Sequence, residues 1–329
     1  MEEKYTKALK EIEHKKIFKY LDQNFNYFSI EWMNVITMWL GNSYSTYNSH
    51  NKYLIHVYLL KSYFEFLSKN LVKIDWEDFF KLTEVEIKKI NIALISKDLL
   101  ISKETTRRKI EELETEKTIK RTLKTTKIKL NVYNNKFQEK NKKFIKLMCK
   151  FLTQISEDLY KKGIIYNDFN KEELEKTILK NYSHVWKEFF EMILPFWIDW
   201  KKIFGNVETF HIYLIVFQNN NYEIQKYLKY NKINITNKKD YMLMHSKIIK
   251  KTGINAMSIS NLSGIPRITV IRKLNFLVKN GFINIDNNKL YYPTIIANLE
   301  SQIAKQNSKN MERLSIFVTK IYNLTIASI

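Results

Sequence analysis

The sequence has very few residues that interrupt regular structure. Among 329 residues there are only six glycines and three prolines. This scarcity disfavours sheet-rich folds, which need many tight turns, and favours long helices joined by polar loops. Hydrophobic residues make up 45% of the chain and aromatic residues 14%, which is enough material for packed cores in two domains. We therefore expect a globular, mainly α-helical fold.

Cysteine and long apolar runs are also scarce. A single cysteine, Cys149, excludes a disulfide within the chain and favours a reducing compartment. The N-terminal stretch MEEKYTKALKEIEHKK has no apolar signal core, and the most apolar stretch, FFEMILPFWIDW from Phe189, is too short and too interrupted to span a bilayer. We expect a soluble cytoplasmic protein with no membrane partner.

The usual signatures of enzymes and metal sites are missing. The six histidines show no metal-site spacing, and Cys149 has no partner for zinc. Neither a glycine-rich phosphate loop nor a nucleophile elbow occurs. The carboxylates of EELETE, from Glu111, are expected on an exposed helix face among lysines. We therefore expect no enzymatic activity, no catalytic residues, no metal and no cofactor.

The charge of the chain is strongly positive. Lysine and arginine total 55 against 34 acidic residues, a formal net charge of +21. A surface with this excess attracts polyanions such as nucleic acids. A composition rich in Lys, Asn and Ile drifts towards basicity without any such partner, so charge alone does not identify what the protein binds.

A compact motif occupies the sequence ISNLSGIPRITVIRKLNFLVKNGF. Apolar residues at helical spacing predict a short helix with Ser258 as its N-cap and Gly264 at its end. A second helix begins at Pro266 and ends at Asn280–Gly281. The apolar residues are Ile259, Leu262 and Ile265 in the first helix, and Val270, Leu274 and Leu277 in the second.

The sequence FINIDNNKLYYPT comes directly after these helices. Apolar and polar residues alternate on both sides of Asp286, Asn287 and Asn288, a pattern that predicts a hairpin. The order helix, turn, helix, hairpin is the winged-helix arrangement, in which the second helix enters the major groove and the hairpin reaches the backbone or minor groove. Winged helices also serve as protein-binding modules, so a protein-binding function stays open as an alternative.

A less exact copy of the motif lies earlier in the chain, at a constant difference in residue number. Ser102 aligns with Pro266, and Arg108 aligns with Arg272. The apolar positions match too, with Ile110, Leu113 and Ile119 aligned with Leu274, Leu277 and Ile283. The hairpin of this copy, IKRTLKTTKIKLN, is strongly basic.

The correspondence extends upstream of both motifs. Gly41–Asn42 matches Gly205–Asn206, and each pair is predicted to follow an aromatic-rich helix. HVYLL at His56 resembles HIYLI at His211, and an amphipathic helix is predicted to close each half. The chain is therefore expected to contain two repeats of one plan.

The motif ISNLSGIPRITVIRKLNFLVKNGFI, with Arg272 and its Asn-Gly stop, resembles the MarR family of winged-helix transcription regulators. Members of that family are homodimers whose N- and C-terminal helices form the interface and place two recognition helices one DNA turn apart. The resemblance implies two tandem winged helix-turn-helix repeats with flanking interface helices and pseudo-twofold symmetry. The repeats would occupy residues 1–162, with an N-terminal extension, and 163–329.

The same resemblance implies a function. A single chain would act as a monomeric pseudo-dimer that binds double-stranded DNA sequence-specifically and regulates transcription, and family analogy adds a small-molecule effector. The chain departs from the family pattern in two places: Lys117 stands where the second copy has Gly281, and the second hairpin, NIDNNKL, lacks the arginine common at the family's wing tip. Equal contributions from the two halves are therefore not implied.

The predicted DNA-binding residues lie on the second helix and hairpin of each repeat. In the first repeat they are Lys103, Glu104, Thr105, Arg107, Arg108, Lys109, Arg121, Lys124 and Lys127. In the second they are Arg267, Ile268, Thr269, Ile271, Arg272, Lys273, Asn287, Asn288 and Lys289. Lys and Arg can donate to guanine, Glu104 can accept from cytosine, and Ile268 or Ile271 favours the thymine methyl group. The two reading surfaces are therefore expected to differ.

Two other interpretations stay open. A plasmid-type replication initiator also carries two tandem winged helices in one chain, although it usually has more strand content than this sequence predicts. A non-enzymatic protein-binding scaffold could retain the same fold. A scaffold would scatter its lysines over all helices, whereas a DNA-binding protein concentrates them on recognition helices and wings.

Overall fold

The chain is mainly helical. The computed structural model describes residues 12–130, 135–233, 235, 253–294 and 297–328. In chain order the helices and strands are α1 (His14–Gln23), α2 (Phe25–Tyr47), α3 (His50–Lys69), α4 (Trp76–Lys81), β1 (Glu84–Lys88), α5 (Ile92–Asp98), α6 (Lys103–Thr115), β2 (Ile119–Arg121), β3 (Thr125–Lys129), α7 (Asn135–Lys161), α8 (Lys171–Lys180), α9 (Tyr182–Phe204), α10 (Val207–Tyr230), α11 (Ala256–Ser263), α12 (Arg267–Lys279), β4 (Ile283–Ile285), β5 (Tyr291–Pro293) and α13 (Ala297–Ile326). No helix among these combines the length and the apolarity that a membrane span requires.

Two compact units divide the chain, and each is discontinuous in sequence. The described residues of unit 1 fall in Met1–His14, Ser49–Ile198 and Ile316–Ile329, and those of unit 2 fall in Lys15–Asn48 and Asp199–Ser315. Each unit therefore takes residues from both ends of the chain, and the units do not coincide with residues 1–162 and 163–329. The division into residues 1–162 and 163–329 refers to repeats along the sequence, not to compact units, and it stays a prediction.

Unit 1 contains a small antiparallel sheet next to a pair of helices. The strands follow the order β1-β3-β2, with Ile87 opposite Thr126 and Ile119 opposite Ile128. The inward residues of the sheet are buried, since side chains alternate between its two faces. Helix α6 packs against α3 and α5. The chain order here is helix, strand, two helices and hairpin.

Unit 2 repeats this order with a smaller sheet. Strands β4 and β5 form an antiparallel pair, and Ile254 exchanges two backbone hydrogen bonds with Tyr291, at 3.0 and 2.9 Å. Helix α12 packs against α10 and α11. An isolated bridge at Ile254 thus stands where unit 1 has the full strand β1, and it precedes the same sequence of two helices and a hairpin.

Helix α2 belongs to unit 2, although its sequence lies in the first predicted repeat. Polar side chains join it to α10: Gln218 Nε2 donates to Asn34 Oδ1 at 2.6 Å, and the Tyr222 hydroxyl donates to the same oxygen at 2.7 Å. Thr37 Oγ1 donates to Gln218 Oε1 at 3.0 Å. These directional bonds specify the register in which the two helices pack.

Aromatic residues form much of the core of each unit. In unit 1, Trp186 lies edge-on to Phe189 at a centroid distance of 5.1 Å, and Phe189 in turn contacts Phe317. In unit 2, the rings of Trp200 and Phe210 stack at 5.2 Å. The tryptophans buried in these cores include Trp32, Trp39, Trp186, Trp197 and Trp200.

The helix pair of unit 2 begins and ends close to where the sequence predicts, with two corrections. Gly264, with φ of 71°, follows the last residue of α11 in the left-handed conformation that glycine adopts without strain. Ser258 does not cap this helix, because the preceding Asn255 accepts from the Ser258 N–H at 2.9 Å. Leu262 is exposed rather than buried, while Ile259 and Ile265 are buried as expected.

A further correction concerns the upstream glycines. Gly205, with φ of 77°, separates α9 from α10. Gly41 instead lies inside α2, which continues to Tyr47. The expected helix end at Gly41–Asn42 is therefore wrong. A glycine weakens a helix but does not end it unless the backbone turns there.

Cys149 is part of the core of unit 1. Its side chain is buried in α7, and burial raises the pKa of the thiol to about 12. The thiolate, which is the reactive form, is therefore suppressed at neutral pH.

Two fully buried histidines occupy corresponding helices, His56 on α3 and His211 on α10. Burial lowers the pKa of each imidazole to about 3, because a charged ring loses its hydration there. Both rings are therefore neutral in the folded protein at any pH near neutrality. The unfolded chain has an ordinary histidine pKa of about 6.5 and takes up protons well above pH 3.

Acidification from pH 7 to pH 5 should therefore reduce the free energy of unfolding. The folded pKa of each histidine is depressed, so its stabilising effect is complete above pH 6.5 and is lost as the pH falls towards 3. Each histidine should lower the free energy of unfolding by about 2 kcal/mol at pH 5, relative to pH 7. Urea unfolding at both pH values measures this effect, with His56→Leu/His211→Leu as the comparison. An undiminished pH dependence in that double variant would contradict the assignment.

Candidate nucleic-acid interface

The burial of one face of α6 determines which of its residues reach solvent. Ser102 begins the helix, since its hydroxyl accepts from the Thr105 N–H at 3.2 Å. Thr106, Ile110 and Leu113 are buried at the spacing of a helical stripe. The residues on the opposite side are exposed, and they include Lys103, Glu104, Arg107, Arg108 and Glu111.

Three cations on this exposed face have no ion-pair partner. No carboxylate of the described residues lies within ion-pair distance of Lys103, Arg107 or Arg108. Thr105, another predicted site residue, is half-buried, and its hydroxyl accepts from Ser102 Oγ at 2.8 Å. The cations are therefore available to an external anion, whereas Thr105 takes part in capping the helix.

Three other predicted cations of unit 1 are bound to carboxylates. The pairs are Lys109 with Glu112 at 2.7 Å, Arg121 with Glu114 at 2.8 and 2.5 Å, and Lys127 with Glu84 at 2.5 Å. The expectation of an exposed acidic face on EELETE is thus wrong for Glu112 and Glu114, which are half-buried. Sequence spacing did not reveal these pairs because two of them join different elements.

The acidic side chains at the end of α6 attach this helix to its neighbours. The buried Nζ of Lys52, on α3, lies 2.5 Å from Glu116 and 3.7 Å from Glu112. Burial would raise the pKa of Glu112, but Lys109 and Lys52 outweigh it and hold this pKa below its ordinary value. The hydrogen bond from Arg121 likewise lowers the pKa of Glu114. Helix α6 is therefore held by charge as well as by its apolar stripe.

The hairpin β2–β3 carries two exposed cations, Lys120 and Lys124, that have no ion-pair partner among the described residues. Glu84 and Glu86 lie opposite Lys129 and Lys127 in the register of β1 and β3, so acidic and basic side chains face each other there. Lys120 is not among the predicted DNA-binding residues. The period-2 pattern of β2 could have identified it, because Ile119 points inward.

Helix α12 presents a different surface. It buries Val270, Leu274 and Leu277, as expected. Its exposed side includes Arg267 and Arg272 together with Ile268, which is 84% exposed. The other predicted residues on this helix are half-buried, namely Thr269, Ile271 and Lys273. Lys273 lies 3.9 Å from Glu208, and burial lowers the pKa of its ammonium.

The hairpin β4–β5 ends in a polar turn. Asn287, Asn288 and Lys289 are exposed there. The Asp286 carboxylate accepts from the N–H groups of Asn288 and Leu290, at 2.9 and 2.8 Å, so it is occupied within the turn. This tip therefore offers amides and a single cation, in contrast with the cationic hairpin of unit 1.

Metal chemistry has no support at these surfaces. Within the part of the chain that the structure describes, no group of three or more His, Cys, Asp or Glu side chains is arranged to hold a metal ion.

Comparison with protein-family models, with curated proteins and with solved structures finds no match to this chain.

Removal of Arg121 should destabilise the protein, although this residue was selected as a DNA contact. Arg121→Ala leaves the half-buried Glu114 without its paired hydrogen bonds and should lower the free energy of unfolding by about 0.5–1 kcal/mol. Lys124→Ala, in the same hairpin, should change it by less than about 0.5 kcal/mol. Urea unfolding at pH 7 compares the two variants, and equal effects would contradict a structural role for Arg121.

Proposed function

We propose that this protein is a sequence-specific, double-stranded DNA-binding transcriptional regulator of the MarR type. In this proposal two winged helix-turn-helix repeats in one monomeric chain act as a pseudo-dimer, with α6 and α12 as recognition helices. The observation that carries the proposal is a set of three exposed cations on α6, a helix whose opposite face is buried. These cations, Lys103, Arg107 and Arg108, have no ion-pair partner in the part of the chain that the structure describes.

The dimensions and surroundings of α6 support a groove-binding role. The helix has 13 residues, which corresponds to about 20 Å of length. The major groove of B-DNA admits an α-helix of this kind, and an adjacent hairpin can reach the phosphate backbone. The exposed Lys120 and Lys124 of β2–β3 supply cations for such contacts. The chain order of helix, strand, two helices and hairpin is also the order of a winged helix.

The cations of α6 and its hairpin support DNA as the partner. Some exposed cations elsewhere in unit 1 are paired with nearby carboxylates, as in Lys81 with Asp78, Lys161 with Glu157 and Lys162 with Asp158. Such pairs contribute little to the attraction of a polyanion. Cations of α6 and β2–β3 that have no ion-pair partner among the described residues would release counterions on binding phosphates. The buried, protonated Cys149 suits the reducing cytoplasm in which we place this activity.

Loss of two cations from α6 should flatten the salt dependence of DNA binding. Each phosphate contact contributes about 0.9 to the slope of log affinity against log salt concentration. Arg107→Ala/Arg108→Ala should therefore reduce this slope by up to about 1.8 on any duplex. Fluorescence anisotropy across a salt series measures it. Lys161→Ala/Lys162→Ala, which removes paired cations at and just after the end of α7, is the control and should retain the wild-type slope.

An unchanged slope in the Arg107→Ala/Arg108→Ala variant would exclude α6 from the DNA interface. Failure of the wild-type chain to bind any duplex at low salt would overturn the proposed function as a whole. Arg121 is left intact in this design because its ion pair with Glu114 contributes to the fold.

The operator should consist of two unlike half-sites with centres about one helical turn apart. Arginine and lysine on α6 favour guanine, whereas the exposed Ile268 on α12 favours the thymine methyl group. Selection from a random duplex library should recover one half-site richer in G·C and one richer in A·T. Ile268→Ala should relax preference in the second half-site alone. Recovery of a perfect palindrome, or of no motif, would contradict this prediction.

A further inference from the structure

The tip of the hairpin β2–β3 carries an apolar side chain. Leu123 is 90% exposed, and it lies between Thr122 and Lys124 in the connection of the two strands. Unlike the cations Arg121, Lys124 and Lys127 of this hairpin, the leucine is not among the predicted DNA-binding residues. An apolar side chain at this point contributes little to the core of unit 1 and is accessible to a partner that meets the tip.

Hydrogen bonds on both sides of Leu123 hold the tip in one conformation. The Thr122 N–H donates to the Thr125 carbonyl at 2.9 Å, and the Thr125 N–H donates to the Thr122 hydroxyl at 3.0 Å. The Lys89 N–H donates to the Lys124 carbonyl at 3.1 Å and ties the tip to the segment after β1. Leu123 is thus presented on a closed turn, and little conformational entropy is lost when a partner meets it.

Two exposed cations lie near this leucine along the chain: Lys124 follows it directly, and Lys120 precedes it by three residues. Neither has an ion-pair partner among the described residues, whereas Arg121 and Lys127 are held by carboxylates. An apolar side chain next to cations complements the minor groove of a duplex, where phosphates line both sides and stacked bases lie between. Leucine is among the side chains that other DNA-bending proteins insert between base steps.

The second hairpin offers a built-in comparison. Its tip consists of Asp286, Asn287, Asn288 and Lys289, and the Asp286 carboxylate is occupied by backbone N–H groups. No apolar side chain stands among these four residues, although Ile285, at the end of β4, is 42% exposed. The turn itself could contact the backbone, but it presents no leucine that could separate bases. The two hairpins therefore differ in kind as well as in charge.

We propose that Leu123 is an apolar wedge that the first hairpin inserts into the minor groove, where it partly unstacks one base step and bends the duplex. This role rests on the DNA binding proposed above and adds a specificity element to it. Pyrimidine–purine steps such as TA unstack most easily, so the wedge selects such a step without a hydrogen bond to either base. The bend is one-sided, since the polar second tip carries no wedge.

The test uses the full chain and duplexes of about 30 base pairs at about 50 mM salt. Each duplex contains one TA step, in which 2-aminopurine replaces the adenine and reports unstacking. The step is moved along the duplex, and end-labelled copies report bending by energy transfer. With wild type, 2-aminopurine fluorescence should rise at one position, and the duplex should bend by at least about 20°. Leu123→Ala should abolish both signals, while the salt slope stays at the wild-type value because no charge is removed.

Two further variants separate wedging from other roles of the tip. Leu123→Met keeps an apolar side chain of similar length and should restore most of the bend. Leu71→Ala removes an equally exposed leucine of unit 1 outside the predicted DNA-binding residues and should leave the bend unchanged. Neither variant depends on the core of its unit, because both positions are exposed.

Several outcomes would overturn the wedge. A straight wild-type complex, or equal bending by Leu123→Ala, would do so and leave DNA binding intact. Loss of co-sedimentation with phosphatidylserine vesicles in Leu123→Ala, without a change in the DNA bend, would assign the tip to a lipid surface instead. Absence of duplex binding by the wild-type chain would remove both the wedge and the proposed function.

Discussion

The burial of a three-residue stripe on one helix is the constraint on which the outer surface of each unit depends. In unit 1 the stripe is Thr106, Ile110 and Leu113, and the two aliphatic side chains are fully buried. Each contributes roughly 1.5–3 kcal/mol of stabilisation relative to an exposed side chain. A helix cannot rotate about its axis without losing this burial, so the residues on its far side are committed to solvent. The cationic face of α6 is a consequence of its apolar face.

Charge is distributed more selectively than the net value of +21 suggests. Carboxylates on α6 and β1 hold Lys109, Arg121 and Lys127, whereas the exposed cations at the start of α6 have no ion-pair partner among the described residues. In unit 2 the same order of elements carries Ile268 and an amide-rich turn instead. The same order of elements with unlike side chains gives the chain two chemically different surfaces.

The sequence predicted those features that depend on neighbours along the chain. Helical spacing, glycine stops and strand alternation correctly placed α6, α12 and both hairpins, because each signal acts within a few residues. Lys117 adopts the left-handed conformation with φ of 57°, and Gly281 does so with φ of 72°. A turn imposed by the surrounding packing thus overrides the preference of lysine, and the aligned Lys117 and Gly281 have the same backbone role.

Features that depend on how separate elements pack and on the path of the backbone were not predictable in this way. The pair between Arg121 and Glu114 joins a strand to a helix, so the spacing of either element alone does not reveal it. Ser258 and Asn255 are both good capping residues, and only the backbone path decides between them. The packing of α2 with α10 requires knowledge of which amphipathic faces meet. The MarR resemblance, like the DNA contacts, stays a prediction.

The interleaving of the two units has a consequence for biosynthesis. Unit 1 includes residues from Ile316 onwards, and unit 2 includes Lys15–Asn48, so translation does not deliver either unit as one uninterrupted piece. Helix α2 emerges from the ribosome well before α10, its packing partner. At ordinary elongation rates the interval is on the order of ten seconds or more. During that time α2, whose buried residues include Trp32 and Trp39, lacks the helix against which it packs in the folded chain. Exposed apolar residues of this kind are what holdase chaperones bind.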